Sequence, residues 1–433
     1  MHKGKFWIPI LAGLMVGQLF AESDRPVKVI NTVRMGYNDN INTTANGNGS
    51  FFVTDIIDLS FRAALSDRTD VMVKSQFNIL TESGGNQFYP NLYVMLNHSV
   101  SPRLLLRLSE YYRSGEKSGD GVNGANDNKR YNYFYNKIDA SADYVLTGRD
   151  HLTGSLSHEI LRHDQEINSL DYTIIGGAVS WKRDLIPQRT YATLNLRQSN
   201  VNYDNRPVNT SEAGLTSATN GYNKRVVYSD DQAFYDSTDL SVGLNHTFNQ
   251  EWQGSIEMGV TYVQPNFSDS MTTVENHTFV TNWTLTSITN TPYKADNSAH
   301  LNPLFRAGLV YSPSPRTRLT GDLSLTYQAS DDNGYGGQNT TELRFGAQHD
   351  ITAKLMAKAT ARFANVAYDS QDSATGDPTD ETSDRMDLEL RFTYKLNRMN
   401  FLELGLRHSE NDYSNGDSWK QNVVDVGWRL ELN

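Results

Sequence analysis

Charged side chains recur at alternate positions along the last hundred residues, and three of them, Lys354, Lys358 and Arg362, repeat every fourth residue. On an extended chain residues i and i+4 point to the same face, so these three read as a column of positive charge. Arg344, Arg391, Arg407 and Arg429 occupy equivalent positions, interleaved with Asp387, Glu389, Glu403 and Asp425. With Glu342, Arg385, Lys395 and Glu431 added, this face holds nine basic and six acidic groups. The bias is basic although the whole chain has a formal net charge of −11. Lining a watery passage, such a column selects anions or guides a polyanionic chain. Cross-strand ion pairing on a solvated wall is the other reading the same residues allow.

Other chemistry finds little support. There is no cysteine, which excludes thiolate metal sites, disulfides and a cysteine nucleophile. His158, His163, His246 and His408 lie near the ends of alternating segments without zinc-site spacing, and neither a nucleophile elbow nor a phosphate loop is present. The acidic run Asp369, Asp372, Asp377, Asp380, Glu381 and Asp384 lacks the compact spacing of a calcium loop and reads as a solvated segment. A negative chain is also a poor partner for nucleic acid, whose phosphates need a basic surface. The expectation is a protein that is not an enzyme and has no catalytic, cofactor or metal site.

The elements that must position these charges are strands. In "RMDLELRFTYKLNRMNFLELGLRHSEND" (385–412), Met386, Leu388, Leu390, Phe392, Tyr394 and Leu396 share one parity and the charged residues the other. After Asn397 and Arg398 the pattern restarts with Leu402, Leu404 and Leu406. This is a hairpin with one apolar and one charged face. Similar alternation predicts about 18 strands: 27–38, 51–65, 70–80, 89–99, 103–113, 130–146, 151–163, 170–183, 189–203, 234–248, 251–265, 302–312, 316–329, 339–350, 353–368, 384–396, 399–411 and 419–432. The short connections ("SDRTD", "SPR", "TGRD", "LIPQ", "NQE", "SPSPR", "DITA", "NR") alternate strictly with longer polar ones, the longest being 204–233 and 266–301. A soluble sandwich has no reason to sort its loops in this way. A transmembrane antiparallel up-and-down β-barrel of 16–18 strands does, with short periplasmic turns and long external loops. The apolar face then meets lipid, so Leu404→Arg should impair assembly while Glu403→Arg, facing water, should be tolerated.

Aromatic residues sit where two membrane interfaces would lie. Trp181, Trp252 and Trp428 fall at predicted periplasmic ends, and Tyr37, Tyr262 and Tyr327 at external ends, all on the lipid parity. At the N-terminus, Lys3 and Lys5 precede the apolar "FWIPILAGLMVGQLF", and Ala21 is a plausible cleavage residue. Residues 1–21 therefore read as a secretion signal and 22–433 as one barrel. Loss of the two lysines would take the mature charge to about −13.

The alternating hairpin "LELRFTYKLNRMNFLELGLRHSEND", the asymmetry of the loops and the final "VGWRLELN" together resemble the outer-membrane β-barrel porin families, in particular the type-2 barrels that often accompany exopolysaccharide export. The closing strand resembles the C-terminal recognition strand of such barrels, but ends in Asn433 where an aromatic is usual. The resemblance implies location in the outer membrane, contact with lipid and lipopolysaccharide, and insertion by the barrel-assembly machinery. It leaves three functions open. These are a passive channel for small hydrophilic solutes, a conduit for exported polysaccharide, and a non-transporting surface barrel whose external loops bind a ligand or partner.

Overall fold

The computed structural model describes residues 27–41, 43, 45–82, 85–118, 130–163, 171–203, 210–216, 221–229, 233–267, 270–279, 283–293, 298–329, 335–370, 382–414 and 418–432. The predicted signal segment 1–21 and residues 371–381 of the acidic run lie outside the described residues, while Asp369 and Asp384 fall at the ends of strands. No helix occurs among those described.

Eighteen strands form one sheet. In chain order they begin with β1 (Val27–Asn38), β2 (Ser50–Ser66), β3 (Thr69–Glu82), β4 (Gly85–Ser101), β5 (Leu104–Ser118), β6 (Arg130–Val145), β7 (Asp150–His163), β8 (Tyr172–Ile186) and β9 (Thr190–Tyr203). Two further hairpin strands, β10 (Thr210–Thr216) and β11 (Gly221–Ser229), precede β12 (Ala233–Thr247) and β13 (Trp252–Phe267). Another two, β14 (Ser270–Phe279) and β15 (Trp283–Tyr293), precede β16 (His300–Ser314). The wall then continues through β17 (Thr317–Ala329), β18 (Tyr335–Asp350), β19 (Leu355–Ser370), β20 (Thr382–Lys395), β21 (Asn400–Tyr413) and β22 (Ser418–Leu432). Each wall strand pairs antiparallel with the next, β9 with β12 and β13 with β16 across the inserted hairpins. The ring closes where β1 meets β22, from Val29↔Leu432 to Asn38↔Val423. Closure joins the first strand to the last, the condition for a strand wall to cross lipid.

The short turns have a common local cause. A Ser, Thr or Asn side chain at the turn's start accepts backbone N–H groups two or three residues on, replacing the ladder where it ends. Asn249 Oδ1 accepts from Glu251 and Trp252, both at 2.8 Å. Asn397 Oδ1 accepts from Met399 at 2.9 Å and Asn400 at 3.0 Å. Ser66, Ser101, Thr147, Ser314 and Thr352 act likewise. At "LIPQ" the work passes to Pro187 and to Gln188, whose φ is +61°, with Arg189 N–H donating to the Ile186 carbonyl at 3.0 Å. That is a type II turn on a proline template.

Alternation of exposure follows the sequence parity. On β22, Val424, Val426 and Trp428 stand outward and exposed, whereas Val423 and Asp425 are buried inward. The 18 wall strands match the predicted ones, with ends shifted by a few residues. The two longest predicted loops are different: they contain β10, β11, β14 and β15, which form a separate four-stranded antiparallel sheet joined by β11–β14 pairing. Their sequences lack the single apolar face of the wall strands.

One part of the wall departs from a simple cylinder. Pairing between β16 and β17 stops at Phe305↔Leu325, although β16 starts at His300 and β17 runs on to Ala329. Beyond that point Tyr327 of β17 and Asn339 of β18, both of outward parity, meet lumen-face residues of β12 and β16, Tyr235 and Asn302. The Tyr327 ring lies 6.1 Å from Tyr235 and 5.6 Å from the His300 ring. It packs against a buried cluster of Val201, Tyr235 and Val263, beside Tyr172 and Ile174. Tyr327 is therefore not an interface aromatic, contrary to its parity, because the strand bearing it has left the outer surface.

Candidate functional site

The lumen face of β18 to β22 and β1 carries most of the charges singled out in the sequence, and the structure joins them into ion-pair networks. Near the external half, Arg362 Nε lies 2.6 Å from Glu342 Oε2 and its Nη1 3.2 Å from Asp387 Oδ2. Arg344 pairs with the same Glu342, and Arg385 Nε reaches Asp387 at 2.9 Å. The second network is centred on Glu403, which is only 3% exposed. Its carboxylate takes Arg34 Nη2 at 2.9 Å, Arg429 Nη1 at 2.9 Å and Arg391 Nη1 at 3.5 Å. Arg391 also reaches Asp425 and Glu389, each at 3.1 Å. Arg429 reaches Glu431 at 3.3 Å, and Lys28 closes on Glu431 at 3.7 Å.

Two glycines make room for this packing. An added Cβ at Gly405 would overlap the Asp425 carboxylate and lie 2.8 Å from Arg391 Nη2, and one at Gly427 would lie 2.9 Å from Arg34 Cγ. Guanidinium groups can therefore lie flat across neighbouring strands, because the faces they cross carry no side chain. Arg34 was not among the sequence candidates. It belongs to the first strand and meets its partners only because the ring closes, so local pattern held no signal for it.

The positive column is not formed as the i, i+4 spacing suggests. Lys354 lies in the turn between β18 and β19, not on a strand. Arg362 is neutralised by two carboxylates. Lys358 stands exposed on the lumen face opposite Arg391 in the ladder. Among the described residues no carboxylate is paired with Lys358 or with Arg407, whose Nη2 makes a 3.5 Å contact to Gln421. The tolerance expected of Glu403→Arg also fails. Glu403 faces inward but is buried under three guanidiniums, so a fourth positive charge there would have no partner.

The remaining aromatics stay on the outer surface. Tyr37 packs edge-on against Phe51 at 5.1 Å. Trp252 stacks on Tyr311 at 3.9 Å. Tyr262 is 43% and Trp428 44% exposed, outward-facing, and the indole N–H of Trp428 donates to Asn400 Oδ1 at 3.0 Å. Trp181 keeps the same parity, opposite Leu152 and Leu194.

Among solved structures, the chain is similar to a mutant of the ferric enterobactin receptor PfeA from Pseudomonas aeruginosa, with 9% identity, 95% of this chain and 81% of that one covered, and a TM-score of 0.44. The outer membrane protein OpdK from Pseudomonas aeruginosa gives 9% identity over 94% of this chain and 99% of that one, with a TM-score of 0.45. The ferric yersiniabactin uptake receptor FyuA from Yersinia pestis gives 7%, 94%, 80% and 0.42 for the same measures. No curated protein matches the sequence. Residues 288–432, which span β16 to β22 and every member of the charge networks except Lys28 and Arg34, match the family described as "Putative beta-barrel porin 2".

Proposed function

We propose that the barrel gives small hydrophilic solutes passive passage across the outer membrane, filtered by width and lumen charge. One observation carries this reading: a closed ring of 18 strands with ionic and amide groups on its inner face. A ring that size is wider than its own side chains can fill, unlike an eight-stranded one. Because most lumen carboxylates on β18 to β22 are consumed by arginines, Lys358 and Arg407 give that wall a residual positive field. A mild preference for anions follows.

The same reading takes residues 1–21 as a signal removed on secretion, the outer face as contact for lipid and lipopolysaccharide, and the barrel-assembly machinery as the insertion partner. It assigns no enzymatic chemistry. The four-stranded sheet built from the two longest connections favours a second reading, in which that sheet binds a ligand or partner outside the cell. Passage of an exported polysaccharide rests on the family resemblance alone. The test is swelling of liposomes holding the purified barrel in isotonic solutions of graded sugars. Swelling that declines with sugar size supports the channel, and none for the smallest sugar favours the binding reading.

A further inference from the structure

One arrangement recurs three times at the short-turn end of the wall. Thr69, Thr190 and Thr317 open β3, β9 and β17, and each follows an exposed arginine of the turn, Arg68, Arg189 or Arg316. Each threonine faces a histidine in the ladder, His98 of β4, His246 of β12 or His349 of β18. Threonine Oγ1 and histidine Nδ1 lie 2.9, 2.7 and 2.9 Å apart in the three copies. In each copy the arginine carbonyl accepts the N–H of the residue after the histidine: Ser99 at 2.7 Å, Thr247 at 2.8 Å and Asp350 at 2.9 Å. Two residues after the histidine an apolar side chain stands outward, Val100 at 41%, Phe248 at 54% and Ile351 at 46% exposure. Arg68 Nη1 meets the Val100 carbonyl at 3.5 Å, and Arg189 Nη2 donates to the Phe248 carbonyl at 2.7 Å. The guanidinium is thereby held beside the turn that carries the apolar residue.

The three copies share what they leave open. With the threonine hydroxyl donating to Nδ1, the histidine Nε2 carries the proton and is a donor for a partner from outside. Among the described residues no carboxylate pairs with Arg68, Arg189 or Arg316, whereas the lumen arginines Arg34, Arg362 and Arg391 are matched by acids. Each site therefore offers a guanidinium, an imidazole N–H and an apolar side chain, side by side on the outer surface. A phosphodiester takes the first two as charge-assisted hydrogen bonds. Only an anion with a hydrocarbon chain attached uses the third as well. The neighbouring turns add Arg103, Arg149, Lys354 and Arg398 against two turn acids, Asp67 and Glu251, so the rim is positive. A zwitterionic headgroup would set its ammonium beside these cations; an anionic one would not.

We propose that these three Arg-Thr/His sites each hold an anionic phospholipid, of the phosphatidylglycerol class, in the leaflet at the short-turn end of the barrel. The guanidinium and the imidazole take the phosphate, and Val100, Phe248 or Ile351 lies along the first carbons of an acyl chain. The inference needs the barrel in a bilayer; it does not depend on an open lumen.

The test is native mass spectrometry of the whole barrel in detergent, titrated with phosphatidylglycerol and, separately, with phosphatidylcholine of the same chains. Phosphatidylglycerol should be preferred by about fivefold per site, the effect of one arginine on an anionic headgroup, and should saturate at three tightly held molecules. Arg68→Gln, Arg189→Gln and Arg316→Gln should each remove one of them, and the triple variant should take the two lipids alike. Arg398→Gln, in a turn without a facing Thr–His pair, should keep all three. Heat-modifiable migration shows that each variant has folded, and the parent's own preference decides the charge claim even where a variant has not. Equal uptake of the two lipids by the parent overturns the proposal. Loss of a bound lipid in Arg398→Gln as well overturns the three sites in favour of surface charge spread over the rim. Displacement of the lipid by inorganic phosphate, beyond that caused by chloride at equal ionic strength, overturns the lipid in favour of a bare anion.

Discussion

Glu403 shows how differently a lumen charge behaves once its neighbours are known. It accepts three arginines from three other strands while almost sealed from solvent. Removing one partner from a buried ionic cluster leaves the others uncompensated and costs far more than a surface pair would. Glu403→Gln is expected to lower stability by about 3–5 kcal/mol, read as a lower guanidinium midpoint for the loss of the heat-modifiable form. Gly405 acts at the same place by absence. Gly405→Ala should push Asp425 off Arg391 and cost about 1–3 kcal/mol through overpacking, a smaller fall in the same midpoint. Arg407 makes no ion pair, so Arg407→Gln should leave that midpoint unchanged within error.

Parity along a strand separates two environments one residue apart. Leu404 is 40% exposed on the outer face of β21, beside the inward-facing Glu403 and Gly405. A charge there must enter hydrocarbon, so Leu404→Arg should lose about 2–4 kcal/mol near the midplane, seen as reduced yield of assembled barrel in outer-membrane fractions. The inserted hairpins should behave in the opposite way. β9 pairs with β12 along a continuous ladder, and β11 pairs with β14 in the separate four-stranded sheet. Replacing residues 206–231 by a short Gly/Ser turn should therefore leave assembly and heat-modifiability intact. It should also strip hydrogen-exchange protection from the β11-facing amides of β14, since that edge loses its partner. Loss of the barrel itself would show that the four-stranded sheet is needed for closure.

For the whole molecule, a closed hydrogen-bonded ring predicts that unheated protein in detergent migrates differently from boiled protein on a denaturing gel. No strand can leave without breaking two ladders. The net field of the lumen is also a property of the ring. With Arg362 paired to Glu342 and Asp387, Lys358, Lys395 and Arg407 are the strand-borne basic groups of that wall with no carboxylate partner among the described residues. Lys358→Glu with Arg407→Glu should shift the reversal potential under a salt gradient toward cations while the barrel still assembles. Arg362→Glu, by contrast, would place a third carboxylate beside Glu342 and Asp387 and should impair folding before selectivity can be read.

The sequence by itself determined the wall. Two-residue periodicity records which side chains meet lipid, and the Ser, Thr and Asn residues of the short turns record where each ladder ends, so strand number and sidedness were legible without coordinates. These are local properties, written wherever a strand has one apolar face. Tertiary structure alone decided what depends on which strands become neighbours. Arg34 reaches Glu403 because the first strand closes on the last, and the column of Lys354, Lys358 and Arg362 is reduced to Lys358 because Lys354 falls in the turn and Glu342 and Asp387 on the flanking strands pair with Arg362. The strands of the four-stranded sheet stayed hidden because they lie within the two longest polar connections, whose sequences do not alternate apolar and polar as the wall strands do. Tyr327 kept the parity of a lipid-facing residue, yet lies inside the ring, because the packing of two sheet layers overrode the pleat of one.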